Sequence, residues 1–461
     1  MKNIDLKSFT HLFRHYTELR LHENREINIT LQNGNVVSNS TTSKSGISAR
    51  VFQNGNWGFS SNPLANTETI PLVIQTANQN ATDLAQKYNR NIILPETAIV
   101  NESHDFTTKK SKKSQGEIID FIKTIDDYIA KKYPQISARV LALMSLDMEK
   151  HLFTSAGIFA QSMNPKTSLY VILTVVKDGQ PTESFQSYGD SELGQFEDRF
   201  SSPEILFERI DKQIEELMQK VDGIFPNAGI KDVIMHSDLA GVLAHEAIGH
   251  TTEADLVLGG SVAADYLNQQ VADPKITLID FANTAFGKIA PVPVFVDDEG
   301  TKSEDVTIIQ NGILKNFMHN KESAAHFGTA PTGNARAFGF DDEPLIRMRN
   351  TAILPGNDKL GDMISSVDDG YFLMAYNNGQ ADSTSEFMFG ITKGYEIKNG
   401  KLGRAIKDTT ISGVAFDMLK TVSMISDDMS WTNAGFCGKK QPMAVGMGGP
   451  AIKCKINIGG R

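Results

Sequence analysis

Asn-Gly pairs at positions 33–34, 54–55, 311–312 and 399–400 constrain the fold of this chain more than any other feature. Each pair stands beside short runs in which apolar and polar residues alternate, such as Ile27, Ile29 and Leu31. Asn-Gly supplies the positive backbone angles of a tight hairpin, and alternation is the period of a strand with one buried face. The pairs therefore predict antiparallel hairpins in both halves of the chain, the first two forming a meander.

Other segments have the apolar spacing of helices. The predicted helices cover residues 3–20, 67–88, 116–132, 203–220 and 239–258. Ser202 and Pro203 fit the N-cap and first turn of the fourth helix. Further strands are expected near 137–143, 150–160 and 168–177, and short strands prevail from residue 226 onward. The predicted fold class is α+β: two units of helices and meanders, then a largely antiparallel β domain that contains the last helix.

The chain has 461 residues, which is too long for a single hydrophobic core. The polar, basic segment 107–116 is interpreted as a solvated linker rather than as an anion-binding patch. These observations predict an N-terminal α+β domain over 1–106, a central α+β domain over 107–225 and a C-terminal, mostly β domain over 226–461.

Composition limits the partners and the compartment. A net charge of −10 argues against direct binding of nucleic acid. The longest apolar run, residues 169–176, is far shorter than the roughly 18 residues that span a bilayer, and the first residues lack the apolar stretch of a secretory signal. Two cysteines, Cys437 and Cys454, cannot form a disulfide framework. A cytoplasmic protein is expected, in which either thiol is free to bind a metal.

The segment His245–His250 (HEAIGH) places two histidines five positions apart within the last predicted helix. The widespread HExxH motif uses a spacing of four, which brings both imidazoles to one zinc ion. A spacing of five leaves them about 140° apart around a regular helix. An i→i+5 turn would restore the alignment, and Gly249 is the residue most able to adopt an irregular conformation. We therefore expect a distorted or terminated helix at 248–250.

A catalytic zinc needs three protein ligands and one open position. Cys437 is the preferred third ligand, because it lies in a glycine-flanked loop (435–438) and a thiolate binds zinc strongly. Cys454 lies in an alternating strand, where a buried apolar role is usual. Glu253 and Asp255, shortly after His250, are the other candidates.

Glu246 follows the first histidine directly, which would place its carboxylate beside the metal without coordinating it. This is the position of a general base that takes a proton from a water activated by the metal. Glu253 has two interpretations: an acceptor that orients His250, or an ordinary surface carboxylate.

Seven stretches of the chain share a family resemblance: Gly46–Arg50, His245–His250, Asp297–Gly300, Asn311–Lys315, Pro331–Asn334, Gly435–Lys439 and Gly459–Gly460. With these stretches the sequence resembles the TldD/PmbA metallopeptidase family, and in particular the TldD-type subunit that keeps the metal motif. The first stretch resembles the N-terminal domain of the family, and the others resemble its C-terminal domain.

The resemblance implies a Zn²⁺ ion held by His245, His250 and Cys437, with Glu246 as the catalytic base. It also implies dimers that enclose a chamber, either homodimers or heterodimers with a PmbA-type paralogue. The expected substrates are unfolded peptides that bind as extended strands, since main-chain hydrogen bonds do not depend on sequence.

Two other functions are compatible with the sequence. The chain could be a non-catalytic or regulatory subunit of such a complex, which would bind no zinc. It could also be a structural zinc protein, in which Glu253 or Asp255 supplies a fourth ligand and closes the coordination sphere.

Overall fold

The computed structural model describes residues 4–88, 90–381, 383–433 and 435–459. Its sheets are mostly antiparallel and are combined with helices, which confirms the α+β fold class. Within these residues, no helix combines the length and the apolar composition that crossing a membrane would require.

The N-terminal half is built on one seven-stranded sheet. Its strands are β1 (Tyr16–Gln32), β2 (Asn35–Gln53), β3 (Asn56–Asn62), β4 (Asn101–Asp105), β5 (Ala138–Thr154), β6 (Phe159–Lys177) and β7 (Gln180–Tyr188). Their order is β3-β2-β1-β5-β6-β4, and β7 also pairs with β6. Asn33-Gly34 and Asn54-Gly55 form the two turns of β1-β2-β3 with positive φ at all four residues, so the predicted meander is confirmed.

Four helices belong to this half. They are α1 (Thr69–Lys87), α2 (Gln115–Lys132), α3 (Phe196–Arg199) and α4 (Phe207–Val221). The first two confirm the helices predicted at 67–88 and 116–132. The helix predicted at 203–220 begins as a 3₁₀ turn at Pro203–Leu206, and the Ser202 side chain makes no capping hydrogen bond.

Two predictions in this half are wrong. The helix predicted over 3–20, of which residue 3 lies outside the described residues, is instead a 3₁₀ turn at Leu6–Leu12 followed by β1. β1 forms because it finds hydrogen-bonding partners along β2 on one side and β5 on the other. The three strands expected between 137 and 177 are two long ones, since β5 and β6 pair from Ala138–Thr174 to Phe153–Phe159 without interruption.

Two apolar cores lie on this one sheet. Leu19 and Ile74 belong to the core under α1, whereas Ile29 and Ile122 belong to the core under α2 and α4. β1 is long enough to contribute to both. The predicted units 1–106 and 107–225 therefore share a sheet, and their division into two domains stays a prediction.

The C-terminal half has many shorter strands. They are β8 (Gly229–Met235), β9 (Leu278–Phe281), β10 (Thr284–Ala285), β11 (Lys288–Ile289), β12 (Val306–Gln310), β13 (Ile313–Leu314), β14 (Ala335–Arg336), β15 (Leu345–Ile346), β16 (Asn350–Ile353), β17 (Asp369–Ala381), β18 (Glu386–Lys398), β19 (Lys401–Ala405), β20 (Thr409–Val414), β21 (Met424–Ile425), β22 (Ser430–Thr432), β23 (Phe436–Cys437), β24 (Met443–Ala444), β25 (Gly446–Gly449) and β26 (Ile452–Ile458). Its helices are α5 (Ser237–Leu243), α6 (Ala254–Leu258), α7 (Lys321–Phe327), α8 (Leu360–Ser365) and α9 (Ala415–Leu419). Both predicted hairpins are present, as β12–β13 and β18–β19.

Two larger sheets enclose α5. One has the order β13-β12-β9-β16-β25-β22. The other has the order β17-β8-β26-β20-β18-β19, in which β17 also pairs with β18, and β21 pairs with β26. Helix α5 packs against β22 and β25 of the first sheet and β17 of the second. At Gly241 a Cβ would lie 3.0 Å from the backbone nitrogen of Gly448, so glycine permits this close packing. The segment that follows α5 is thereby fixed between two sheets.

Buried ion pairs join the two halves. Arg50 of β2 contacts Glu299 at 2.5 Å, and both side chains are almost fully buried. Arg20 and Lys150 approach Asp298 at 3.9 and 2.6 Å. Because buried charges are stable only with their partners in place, these contacts fix how the N-terminal sheet sits on the C-terminal half.

Arg50→Met tests this interface. Removing the guanidinium leaves Glu299 buried without its cation, which is expected to lower the free energy of unfolding by about 3–5 kcal/mol in urea denaturation. Lys44→Met is the matched control, since Lys44 pairs with Asp341 across the same interface but is well exposed. It should cost about 1 kcal/mol or less. Equal losses in both variants would contradict the role given to Arg50.

Candidate metal centre

The helix that contains both histidines changes its winding between them. After α5, residues Ala244–Gly249 form a π-helix and His250–Thr252 a 3₁₀ turn, before α6 begins. The backbone N–H of His250 donates to the carbonyl of His245, which is the i→i+5 hydrogen bond of a π turn. The two imidazole rings consequently lie on one side of the chain, with their centroids 5.1 Å apart.

Gly249 differs from its predicted role. Its backbone has ordinary helical angles (φ −57°, ψ −51°), and the helical path is interrupted only at Glu253, which is extended. The distorted helix expected at 248–250 is therefore present, whereas Gly249 itself keeps helical angles and does not end the helix. A Cβ at position 249 would overlap the sulfur of Met348, so a larger residue there would force Met348 or the turn to move.

His245, His250 and Cys437 come together. Each offers one ligand atom, and these atoms all lie within 4.8 Å of one another. The Cys437 Sγ is 3.2 Å from His250 Nε2, although 187 positions separate the two residues. His245 and Cys437 are buried, and His250 is partly exposed.

This donor set fits a zinc ion. Two imidazoles and a thiolate are ligands that zinc prefers. Both ring nitrogens of His245 are buried and have no hydrogen-bond partner among the described residues, which is costly unless another group satisfies them. Among the same residues, no further histidine, cysteine or carboxylate joins the group. Three ligands leave one position open, as in catalytic rather than structural zinc sites.

Glu253 orients His250. It is fully buried, and its Oε2 is 2.9 Å from His250 Nδ1 and 3.2 Å from the Nζ of Lys439. The interpretation as a surface carboxylate is therefore wrong. Lys439 also pairs with Asp255 at 2.7 Å. Both carboxylates that were candidates for a fourth ligand are thus engaged away from the cluster.

Arg347, which sequence reasoning missed, holds the loop of Cys437. Its guanidinium is fully buried and donates to the backbone carbonyls of Cys437, Lys439 and Gln441 at 2.7, 3.0 and 2.7 Å. A signal was available in the segment 346–349 (IRMR), where arginines alternate with apolar residues as buried strand positions do. It does not identify what the arginine contacts.

Glu246 lies beside the cluster. Its two carboxylate oxygens are 3.7 Å from His250 Nε2 and 4.0 Å from His245 Nε2, which is beyond hydrogen-bonding distance. About a quarter of its side chain is exposed. The carboxylate is thus near the three ligand atoms and accessible to solvent.

The electrostatics favour a thiolate at Cys437. Burial raises the pKa of this thiol, but its interactions with the nearby imidazoles of His245 and His250 outweigh burial and lower the pKa to about 4. Burial lowers the pKa of His250, yet Glu253 and Cys437 hold it well above its usual value. At Cys454, by contrast, burial raises the pKa to about 12, so that thiol stays neutral. This agrees with its expected apolar role.

The ionisation of Cys437 can be measured on the metal-free protein. Because its pKa is lowered on folding, the thiolate contributes stability that is complete above the unfolded thiol's pKa, near 8.5, and is lost as the pH falls through about 4. The ultraviolet absorbance of the thiolate, taken as the difference from Cys437→Ser, should disappear around pH 4. A midpoint between 8 and 9 would show that the histidines do not act on this thiol.

Gly249→Ala tests the packing of the π turn. The new Cβ forces Met348 or the turn to move, and we expect a loss of about 1–3 kcal/mol in unfolding free energy together with weaker zinc binding. Thermal unfolding and competition with a chromophoric chelator measure the two effects. Gly361→Ala in α8 is the control, since a Cβ there meets nothing within 4 Å. Unchanged zinc affinity in Gly249→Ala would contradict this account of the glycine.

Comparisons with known proteins give a consistent result. A family model described as PmbA/TldA metallopeptidase C-terminal domain matches residues 228–460, and one described as PmbA/TldA metallopeptidase domain 1 matches residues 17–81. A zinc metalloprotease TldD homolog of Saccharolobus solfataricus is 30% identical over 432 residues, covering 90% of each chain. A metalloprotease of Methanocaldococcus jannaschii is 29% identical over 450 residues, covering 95% of each.

The fold is also found in a solved structure. The crystal structure of TldE from Thermococcus kodakarensis superposes with a TM-score of 0.77 at 17% identity, covering 99% of each chain. At that identity the likeness establishes the fold alone. The matched domains and the relatives of similar length show that this chain belongs to the TldD/PmbA metallopeptidase family.

Proposed function

We propose that the protein is a zinc-dependent peptidase that hydrolyses extended peptides, with Glu246 as its general base. One observation supports this most: three ligand atoms lie together, a partly exposed carboxylate lies beside them, and no fourth ligand is found among the described residues. The name zinc metalloprotease given to a relative that matches 90% of the chain supports the same chemistry.

His245, His250 and Cys437 would hold the zinc ion. When bound, zinc supplies a Lewis acid that polarises the scissile carbonyl and lowers the pKa of water. Glu253 keeps the Nε2 of His250 directed at the thiolate, because it binds the Nδ1 on the opposite side of the ring. Arg347 keeps the thiolate in place through three carbonyls of its loop.

Glu246 would transfer the proton of the attacking water. Its carboxylate is within 4.0 Å of both histidines without a hydrogen bond to either, so it is available to the attacking water. It would take a proton from that water and later deliver it to the amine that leaves. The partial exposure of Glu246 allows water and a peptide to reach it.

The end of β17 offers an edge for the peptide. On the side away from β18, β17 pairs with β8 only over Gly370–Leu373. Beyond that point, up to residue 381, no described strand pairs with this side. The edge runs beside the base, since a Cβ at Gly379 would lie 3.9 Å from Glu246 Cγ. An extended peptide that adds to this edge would bind through its main chain, whatever its sequence.

The wider assembly belongs to the same proposal and follows from the family resemblance. We include a dimer that encloses a chamber, formed either by two identical chains or with a PmbA-type paralogue, and a cytoplasmic location. A chamber would restrict access to unfolded chains, which matches the requirement for an extended substrate at the β17 edge.

A structural zinc site is less well supported. It would need a fourth protein ligand, and the two candidates, Glu253 and Asp255, are bound to His250 and Lys439 instead. A non-catalytic subunit is also less well supported, because the complete ligand set and the adjacent carboxylate would then have no use.

Two glutamate variants separate catalysis from metal binding. Glu246→Gln should lower the rate of hydrolysis of a quenched-fluorescence library of unstructured peptides at least about 100-fold, with zinc content unchanged. Glu253→Gln should weaken zinc binding about 10- to 100-fold, because His250 loses the acceptor that orients it. Wild-type turnover by zinc-loaded Glu246→Gln would remove this residue as the base.

A further inference from the structure

A cavity of about 150 Å³ lies between the N-terminal sheet and the loop of Cys437. Its walls from the C-terminal half are Phe338, Phe436 and Pro442. Phe436 is the residue before the metal ligand, and its ring meets Phe338 edge to face at 5.9 Å. Cavities of this size and apolar character can hold a group as large as benzene.

The opposite wall is one face of the N-terminal sheet. Glu26 of β1, Leu146 of β5 and Lys166 of β6 stand in register across three neighbouring strands, and all three line the cavity. Strands are about 4.8 Å apart, so the backbones of Glu26 and Lys166 are separated by about 10 Å. No ion pair joins these two residues in the part of the chain that the structure describes.

Lys166 is a buried lysine without a close counter-ion, and burial lowers the pKa of its amine to about 7. Only 8% of the residue is exposed. Its Nζ donates to the carbonyl of Gly435 at 3.0 Å and lies 4.2 Å from the centroid of the Phe436 ring. Within the described ranges, no carboxylate is within 4.0 Å of it. The charge of Asp190 acts on Lys166 from beyond 4.0 Å, and the carboxylate of Asp190 accepts a hydrogen bond from Thr432.

Burying a lysine without a counter-ion costs free energy. Lysine is almost never fully buried unless it is paired, and an ammonium group has three N–H donors. One carbonyl and one aromatic ring satisfy Lys166 only in part. If its single task were to hold the Gly435 carbonyl, a neutral amide would suffice at a lower desolvation cost. The cavity beside it leaves room for an anion.

We propose that Lys166 binds a carboxylate of the substrate peptide, with the apolar walls of the cavity receiving the adjoining side chain. This subsite rests on the proposed peptidase function. Gly435 is two residues from Cys437, a distance of about 7 Å along an extended backbone. A peptide anchored at Lys166 would therefore reach the metal cluster within two or three residues. The carboxylate is either the α-carboxylate of the peptide or an aspartate side chain.

Binding can be measured without catalysis. The protein is zinc-loaded Glu246→Gln, and the probes are fluorescein-labelled alanine pentapeptides with a C-terminal phenylalanine, followed by fluorescence anisotropy. One pair differs by a free carboxylate or an amide at the C-terminus. A second pair, both amidated, has aspartate or asparagine next to the phenylalanine. The pair in which the acid binds more tightly identifies the source of the carboxylate.

With Lys166 present, the acid of one pair should bind about 10- to 100-fold more tightly than its neutral partner. Lys166→Met should remove that preference while zinc content stays unchanged, and Lys166→Arg should retain most of it. Met144→Trp, which fills the cavity from a partly exposed position, should weaken the acidic peptide without touching Lys166.

The subsite would be refuted if acids and neutral partners bound equally, or if the preference survived in Lys166→Met or Met144→Trp. Loss of zinc in Lys166→Met together with undiminished binding to Met144→Trp would assign Lys166 to loop positioning alone. Because binding is read on a variant that does not need to cleave, failure of the peptidase function would show separately, as wild-type protein that binds the peptides but leaves them intact.

Discussion

The guanidinium of Arg347 holds the loop of Cys437, which is the one ligand of the metal cluster outside the histidine segment. The Cys437 loop has few apolar anchors, and a thiolate carried by a mobile loop would bind zinc weakly. Three carbonyl acceptors on one rigid, planar donor fix the loop backbone over five residues, from Cys437 to Gln441. Because the arginine and the loop lie 90 to 94 positions apart, the ligand set exists only after this half has folded.

The π turn positions the other two ligands, His245 and His250. A π turn is rare and occurs mostly as a single turn within a helix, so it persists only where its surroundings support it. Here the hydroxyls of Thr251 and Thr252 donate to the carbonyl of Ile248, and the two sheets around α5 hold the segment on both sides. Metal binding would add to this support. The surrounding contacts thus stabilise the π turn at the place where it aligns His245 with His250 on one face of the helix.

Local features of the structure could be predicted from sequence, and non-local ones could not. Asn33-Gly34 determines its hairpin by its own backbone preferences, and the spacing of His245 and His250 is enough by itself to require an i→i+5 turn. Residues 3–20 have helical spacing, but β1 is fixed by pairing with β2 and β5, which lie elsewhere along the chain.

The glycine, arginine and lysine around the metal centre show the same limit. The packing constraint at position 249 comes from Met348, which is remote in sequence, so the local pattern suggests a helix break instead. Arg347 and Lys166 act through backbone carbonyls that no local pattern reveals. Contacts of this kind depend on which segments the fold brings together.

The two halves of the chain are therefore coupled at the metal centre as well as at their interface. The ion pairs of Arg50 and Lys150 are directional and buried, so they tolerate little rotation of one half on the other. The same sheet that carries them also carries Lys166, whose ammonium contacts the carbonyl two residues before Cys437. A rotation of one half that broke these ion pairs would also move Lys166 relative to the Gly435 carbonyl. The position of the third ligand consequently depends on the N-terminal sheet, even though all three ligands belong to the C-terminal half.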